Sequence, residues 1–140
     1  SAPLLINKEV IKDGYIPLNY KLTKPHDEIK WRYKTNEYQL GYFDKLLSYL
    51  SNSGFKVVVV EHPLPYLYFP PEHQAFLNDI NPILAKYGVK FYDFTGKSGL
   101  TDLKFFADEN HLHIHGVEKY NNLLIDELSK DGIFTNTIKN

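Results

Sequence analysis

The sequence predicts an α/β fold with a mostly parallel sheet, and three observations lead to this class. Helix-patterned and strand-patterned segments alternate along residues 36–132. One strand segment contains four consecutive valines, Val57–Val60, which is typical of a strand covered on both faces. The 140 residues have the length of one domain and are long enough to bury a core.

The elements follow one another in a clear order after an irregular start. Residues 1–35 have no regular hydrophobic period, and we expect this lead-in to pack on the rest of the domain. Residues 36–132 form the α/β part, which opens with an amphipathic helix of about four turns. Its apolar positions recur at helical spacing and end at Ser51-Asn52-Ser53-Gly54; they are Leu40, Phe43, Leu46, Leu47 and Leu50.

Two strands and two further helices are predicted after this first helix. The strands are residues 56–61 and 89–94. Between them, a helix begins at Pro71 and ends before Gly88, and Pro82 inside it predicts a kink or a break near Asn81. A final helix carries its apolar residues at Val117, Tyr120, Leu124 and Leu128, and residues 133–140 form a tail.

The composition excludes several kinds of partner. Sixteen Lys and Arg residues balance seventeen Asp and Glu residues and are scattered, so nucleic acid is not an expected partner. No apolar run approaches the roughly 20 residues of a membrane span. Without cysteine there is no disulfide, thiolate zinc site or cysteine nucleophile. We expect no cofactor.

A ligand is expected at the carboxyl ends of the parallel strands. His62 lies directly after the first strand, and Tyr66 and Tyr68 lie in the proline-rich loop that follows. These three residues are candidates for substrate binding. Aromatic residues in such a loop also commonly pack down on the core as a lid, and this alternative stays open.

The segment from Phe106 to Gly116 contains three of the six histidines and leads into the final helix. Asp108 precedes His111 by three residues, so its carboxylate can reach the imidazole Nδ1 and fix the tautomer. This spacing predicts His111 as the general base and Asp108 as its orienting partner in acyl transfer or ester hydrolysis.

The residues Phe106-Ala107-Asp108-Glu109-Asn110-His111-Leu112, followed by Gly116, resemble the last conserved block of the SGNH or GDSL-type hydrolase superfamily. The similarity is closest to envelope-associated branches, such as the D-alanyl transfer protein of teichoic acid synthesis and the polysaccharide O-acetyltransferases. This resemblance implies a three-layer α/β/α domain of flavodoxin-like type. It also implies a serine esterase or O-acyltransferase of the bacterial cell envelope, acting on an acyl ester or on a glycan or polymer.

The sequence departs from that family at its nucleophile. The family's serine lies in a Gly-Asp-Ser-like turn near the start of the domain, and no such turn or oxyanion-hole block occurs here. Ser98 lies too near the histidine segment and in the wrong order. Four other serines lie on or beside helices; they are Ser48, Ser51, Ser53 and Ser129. The resemblance therefore implies a C-terminal half that supplies Asp108 and His111, with the serine outside this chain.

Two alternatives from other functional classes remain. The first is a non-catalytic binding or interaction domain of the same fold. The second is a metal site made by His111, His113 and His115, because residues two apart on an extended segment point to the same side. Gly116 and a helical pattern follow immediately, so the segment should not stay extended, and we predict no metal ligands.

Overall fold

The computed structural model describes residues 35–65, 73–95, 99–100, 102–108 and 110–133. These residues form three α-helices, two strands and a short 3₁₀ helix, which confirms the mixed α/β class. In chain order the elements are α1 (Glu37–Asn52), β1 (Val58–Glu61), α2 (His73–Tyr87), β2 (Lys90–Asp93), the 3₁₀ helix (Leu103–Phe105) and α3 (Ile114–Lys130). None of the described helices has the length and apolar character needed to cross a membrane.

Several sequence-based predictions fall outside the described residues. The lead-in is one of them, apart from Thr35, and so is the tail after Ile133. The same holds for Pro71 at the predicted start of α2, for Tyr66 and Tyr68, and for Ser98.

The two strands pair in parallel, as predicted, with α2 as the crossover between them. The register runs from Val58 opposite Lys90 to Glu61 opposite Asp93. Both strands are shorter than the sequence pattern suggested, because the ladder covers only four residues of each. Their carboxyl ends therefore lie side by side, with an acidic residue at the last position of each strand.

The four successive valines Val57–Val60, three of them in β1, pack alternately into two apolar clusters. Val57 and Val59 pack with α1 and α2, around the buried Leu47 and Ile80. The alternate residues of β1 pack with α3; the second cluster contains Val58, Val60, Tyr92, Phe94, Tyr120, Leu123, Leu124 and Leu128. Helices thus cover both faces of the sheet, as the valine run indicated. The strand residues of β1 are nevertheless only half-buried.

Helix α1 begins where the side chain of Asn36 accepts a hydrogen bond from the Gln39 N–H at 2.8 Å. The buried Leu47 and the partly buried Leu40 and Phe43 form its apolar stripe against α2. Leu46 was predicted to lie on the same apolar face, but it does not. It is adjacent to Leu47 in sequence, so it points to another side of the helix, and it is 52% exposed.

Helix α2 continues through Pro82, so of the predicted kink or break near Asn81 the break does not occur. Proline lacks an N–H and leaves one intrahelical hydrogen bond unmade, which is a local cost. The buried side chains of Ile80 and Leu84 lie on either side of the proline and pack into the same cluster, which holds both halves of the helix in place. An ion pair between Lys86 and Asp44, at 2.9 Å, joins α2 to α1 on the surface.

Helix α3 begins at Ile114, three residues earlier than its first predicted apolar position. His113 is its N-cap: its Nδ1 accepts a hydrogen bond from the His115 N–H at 3.3 Å, and its carbonyl accepts one from Val117 at 2.9 Å. The first turn of α3 passes very close to the 3₁₀ helix. A Cβ atom on Gly116 would lie 2.1 Å from the backbone oxygen of Phe105, so only glycine fits this crossing.

Candidate functional site

A short loop between the 3₁₀ helix and α3 presents Asp108 and His111. Phe106 and Leu112 form an antiparallel bridge across its base. Ala107 donates its N–H to the carbonyl of His111 at 2.8 Å. Phe106 and Ala107 are buried, so the loop is anchored on its N-terminal side by apolar packing and across its base by backbone hydrogen bonds.

The Asp108 carboxylate forms the hydrogen bond to His111 that the sequence spacing predicted. Both carboxylate oxygens lie 2.9 Å from His111 Nδ1. Oδ1 also accepts the backbone N–H groups of Asn110 and His111, each at 2.8 Å. Because an ionised carboxylate only accepts hydrogen bonds, Nδ1 carries the proton and Nε2 offers its lone pair. The His111 side chain is 64% exposed, so Nε2 is accessible.

The same contacts keep Asp108 ionised. Partial burial raises the pKa of the Asp108 carboxyl, but hydrogen bonds from the Asn110 N–H and from the ring and N–H of His111 outweigh this effect. The net result is a pKa below its ordinary value. A carboxylate that stays charged can stabilise a positive charge on His111 after a proton has been taken up.

The described residues contain no nucleophile for this pair. Ser48 and Ser51 lie in α1, Ser53 caps its end, and Ser129 lies near the end of α3. None of these described serine hydroxyls is within hydrogen-bond distance of His111, and that of Ser53 donates to the carbonyl of Tyr49. The pair therefore has the geometry of a base and its orienter alone.

The other two histidines of the segment have different surroundings. His113 is buried with 3% exposure and caps α3, whereas His115 lies in the helix and faces Glu118 at 3.3 Å. The ligand atoms of His111, His113 and His115 do not form a group within 4.8 Å among the described residues. The segment that holds the three histidines is not an extended strand, because α3 begins at Ile114, between His113 and His115.

His62 directly follows the last residue of β1, as expected. Its Nδ1 donates to the carbonyl of Pro63 at 2.8 Å. It lines a cavity of about 320 Å³ whose wall is mostly apolar and includes Phe43, Phe76 and Phe91. The described wall of this cavity contains neither Asp108 nor His111. Among the described residues, no hydrogen bond or ion pair joins His62 to the pair.

A second cluster of polar side chains lies at the carboxyl ends of the strands. The sequence alone did not predict this cluster. It consists of Glu61 at the end of β1, Asp93 at the end of β2 and His73 at the start of α2. His73 Nε2 is 3.0 Å from Asp93 Oδ2 and 3.9 Å from Glu61 Oε2. The signal was present in the sequence as an acidic residue closing each strand and a histidine opening the helix between them.

Thr95 fixes the orientation of Asp93 in this cluster. Its backbone N–H donates to Asp93 Oδ1 at 2.8 Å and its hydroxyl donates to the same oxygen. Burial raises the pKa of the Asp93 carboxyl, and the hydrogen bonds from Thr95 and His73 lower it by more, so the pKa lies below its ordinary value. Asp93 thus hydrogen-bonds the first residue of the loop that follows β2.

Comparison of the chain with protein-family models, with curated proteins and with solved structures finds no match.

Proposed function

We propose that this chain supplies the Asp108–His111 pair of a serine-type esterase or O-acyltransferase whose nucleophilic serine lies outside the sequence. His111 acts as the general base on the serine hydroxyl, and Asp108 holds the imidazole in the reactive tautomer. By the resemblance to the SGNH superfamily, the domain is of the three-layer flavodoxin-like type. The substrate is a small acyl group on a cell-envelope glycan or polymer.

The observation that carries this proposal is the geometry of the pair. Nδ1 of His111 is held at 2.9 Å by both oxygens of an ionised carboxylate, while the ring is largely exposed. A base in this state has a free Nε2 lone pair that faces outward and can accept a hydroxyl proton from another segment or chain. The carboxylate of Asp108 accepts from three donors, the two backbone N–H groups and the ring N–H of His111, so the backbone holds it in place before it meets the ring.

The test is an ester hydrolysis assay on the complete natural gene product with a chromogenic acetate ester. His111→Ala should lower kcat by at least about 10³-fold, because a triad loses most of its rate when the base is removed. Asp108→Asn should lower it by a comparable factor through loss of the reactive tautomer. A serine-directed phosphonate should label the wild type and react much more slowly with the His111→Ala variant.

His115 offers a matched control. It is 68% exposed and pairs with a carboxylate three residues away, as His111 does, but it lies in the helix. His115→Ala should retain wild-type kcat. Equal activities of wild type and His111→Ala would contradict the proposal. So would a complete gene product that neither hydrolyses the ester nor reacts with the phosphonate, and the non-catalytic binding domain would then be preferred.

A further inference from the structure

We propose that Glu61, His73 and Asp93 bind a first-row divalent metal ion such as Zn²⁺. This site is separate from the Asp108–His111 pair and does not depend on the proposed function. It follows from where the strand register and the crossover helix place three metal-ligating side chains.

The strand register places the two carboxylates on one face of the sheet. Glu61 and Asp93 are register partners at the last ladder position. Glu61 follows Val57 and Val59 in the two-residue alternation, and Asp93 follows Phe91, so both point toward the face that α1 and α2 cover. Helix α2 begins on that face with His73. The three ligands thus come from three elements that meet at one edge of the sheet.

The ligand atoms lie close to the separations expected around one ion, and the wider ones exceed them by a small distance. The three ligand atoms all lie within 4.8 Å of one another, and His73 Nε2 is 3.0 Å and 3.9 Å from the two carboxylate oxygens. Nitrogen and oxygen ligands at about 2.1 Å from one ion are separated by roughly 3.0–3.5 Å when they are neighbours in its coordination shell. Small side-chain rotations are enough to bring the two carboxylates onto an ion beside the imidazole.

The site is also supported by hydrogen bonds and partly withdrawn from water. The side chains of His73 and Glu61 are each 14% exposed. Thr95, itself buried, holds Asp93 Oδ1 through its N–H and hydroxyl, which leaves Oδ2 directed at His73. A hydrogen bond that orients a ligating carboxylate is the usual outer-shell support of a metal site. The ring of Phe76 lies beside that of His73, with 6.0 Å between the ring centroids.

The donor set indicates the class of metal. One imidazole nitrogen and two carboxylate oxygens suit Zn²⁺, Mn²⁺ or Fe²⁺ better than Mg²⁺ or Ca²⁺, which prefer oxygen ligands alone. With a neutral imidazole, two carboxylates balance the charge of a divalent ion. Three protein ligands leave coordination positions open to water or a ligand. Glu61 also lines the apolar cavity, so a small molecule in that cavity would lie beside the bound ion.

The first experiment is calorimetric titration of the chelator-treated full chain with Zn²⁺. One strong site per chain is expected. His73→Gln and Asp93→Asn should each weaken binding by at least the 10- to 100-fold that loss of an outer-shell partner costs. His115→Ala, which removes an exposed histidine beside Glu118, should leave the affinity unchanged. Equal affinities of wild type and His73→Gln would overturn the proposal.

A second measurement locates the ion in the wild-type protein, so the result does not depend on whether the variants fold. Substoichiometric Mn²⁺ should broaden the amide NMR signals of Glu61, His73 and Asp93 together with those of their sequence neighbours. Broadening confined to residues 111–115, or no localised broadening, would show that the cluster is only a hydrogen-bonded network at the sheet edge. Neither result bears on the ester hydrolysis assay, so failure of this site and failure of the proposed function are distinguishable.

Discussion

At the scale of single residues, the tautomer of His111 is the most direct consequence of its contact with Asp108. The backbone N–H groups of Asn110 and His111 occupy Oδ1, so the carboxylate is held in one orientation before it meets the ring. The imidazole therefore has its proton placed by a preformed acceptor, which is the arrangement that a general base requires.

We predict that ¹⁵N NMR of the wild-type chain finds neutral His111 with its proton on Nδ1. In Asp108→Asn, the amide oxygen should keep the two backbone hydrogen bonds, which directs the NH₂ group at the ring. The major tautomer should then carry its proton on Nε2. His115 serves as the internal reference, since it faces Glu118 and not Asp108. An unchanged His111 tautomer in the variant would contradict this account of the pair.

How far the sequence predicts a site depends on whether its residues are close along the chain. Asp108 and His111 are three residues apart within one turn, so local geometry was enough to predict their hydrogen bond. Glu61, His73 and Asp93 come together only through the strand register and the start of α2. Hydrophobic periodicity predicts those elements but does not predict which of their residues become neighbours.

At the scale of elements, helix boundaries and crossings account for the remaining differences. The apolar spacing predicted all three helices, and packing on both sides kept α2 intact through Pro82. The start of α3 was missed because a histidine acts as its N-cap, a position that Ser, Thr, Asp and Asn usually occupy. The contact of Gly116 with the 3₁₀ helix depends on tertiary geometry and has no local pattern.

This crossing gives a prediction for Gly116→Ala. The new methyl group would meet the Phe105 oxygen at 2.1 Å, so α3 must shift, and the free energy of unfolding should fall by at least about 1–3 kcal/mol. Urea unfolding measures the change. Gly41→Ala is the matched control, because Gly41 is also helical and its Cβ would meet no atom within 4 Å. That control should gain about 0.5–1 kcal/mol from helix propensity. Equal stability of the two variants would contradict the proposed close crossing.

At the scale of the whole molecule, polar side chains tie the end of α3 to the strands. Asp131 accepts hydrogen bonds from Lys90 and from the hydroxyl of Tyr92, both in β2. Lys56, just before β1, donates to the carbonyl of Gly132 at 2.9 Å. These contacts hold one end of α3 on the sheet, while the apolar residues of the second cluster hold its middle.

The acid sensitivity of the fold should depend in part on Asp131. Hydrogen bonds from Lys90 and Tyr92 lower the pKa of this carboxyl in the folded protein. Its contribution to stability is therefore complete above the unfolded pKa of about 3.9 and is lost as the pH falls through the lower folded pKa. Asp131→Asn should be less stable than the wild type at pH 7, and this difference should shrink as the pH is lowered toward about 2.

Urea unfolding at several pH values between these limits checks the prediction. Asp126→Asn is the control, because Asp126 lies on an exposed part of α3 and forms no hydrogen bond to β2 among the described residues. It should follow the wild-type profile. A constant difference between Asp131→Asn and the wild type at all pH values would contradict the linkage.

The pairing of β1 with β2 has a consequence for how this chain can vary. The alternation that sends Val57 and Val59 to one cluster and Val58 and Val60 to the other ends, in phase, at Glu61. A single inserted or deleted residue in β1 would exchange the two sets of valines and turn Glu61 away from Asp93. An insertion between Val57 and Glu61 should therefore disturb both apolar clusters at once. One strand register thus determines both which valines enter each apolar cluster and the position of Glu61 opposite Asp93.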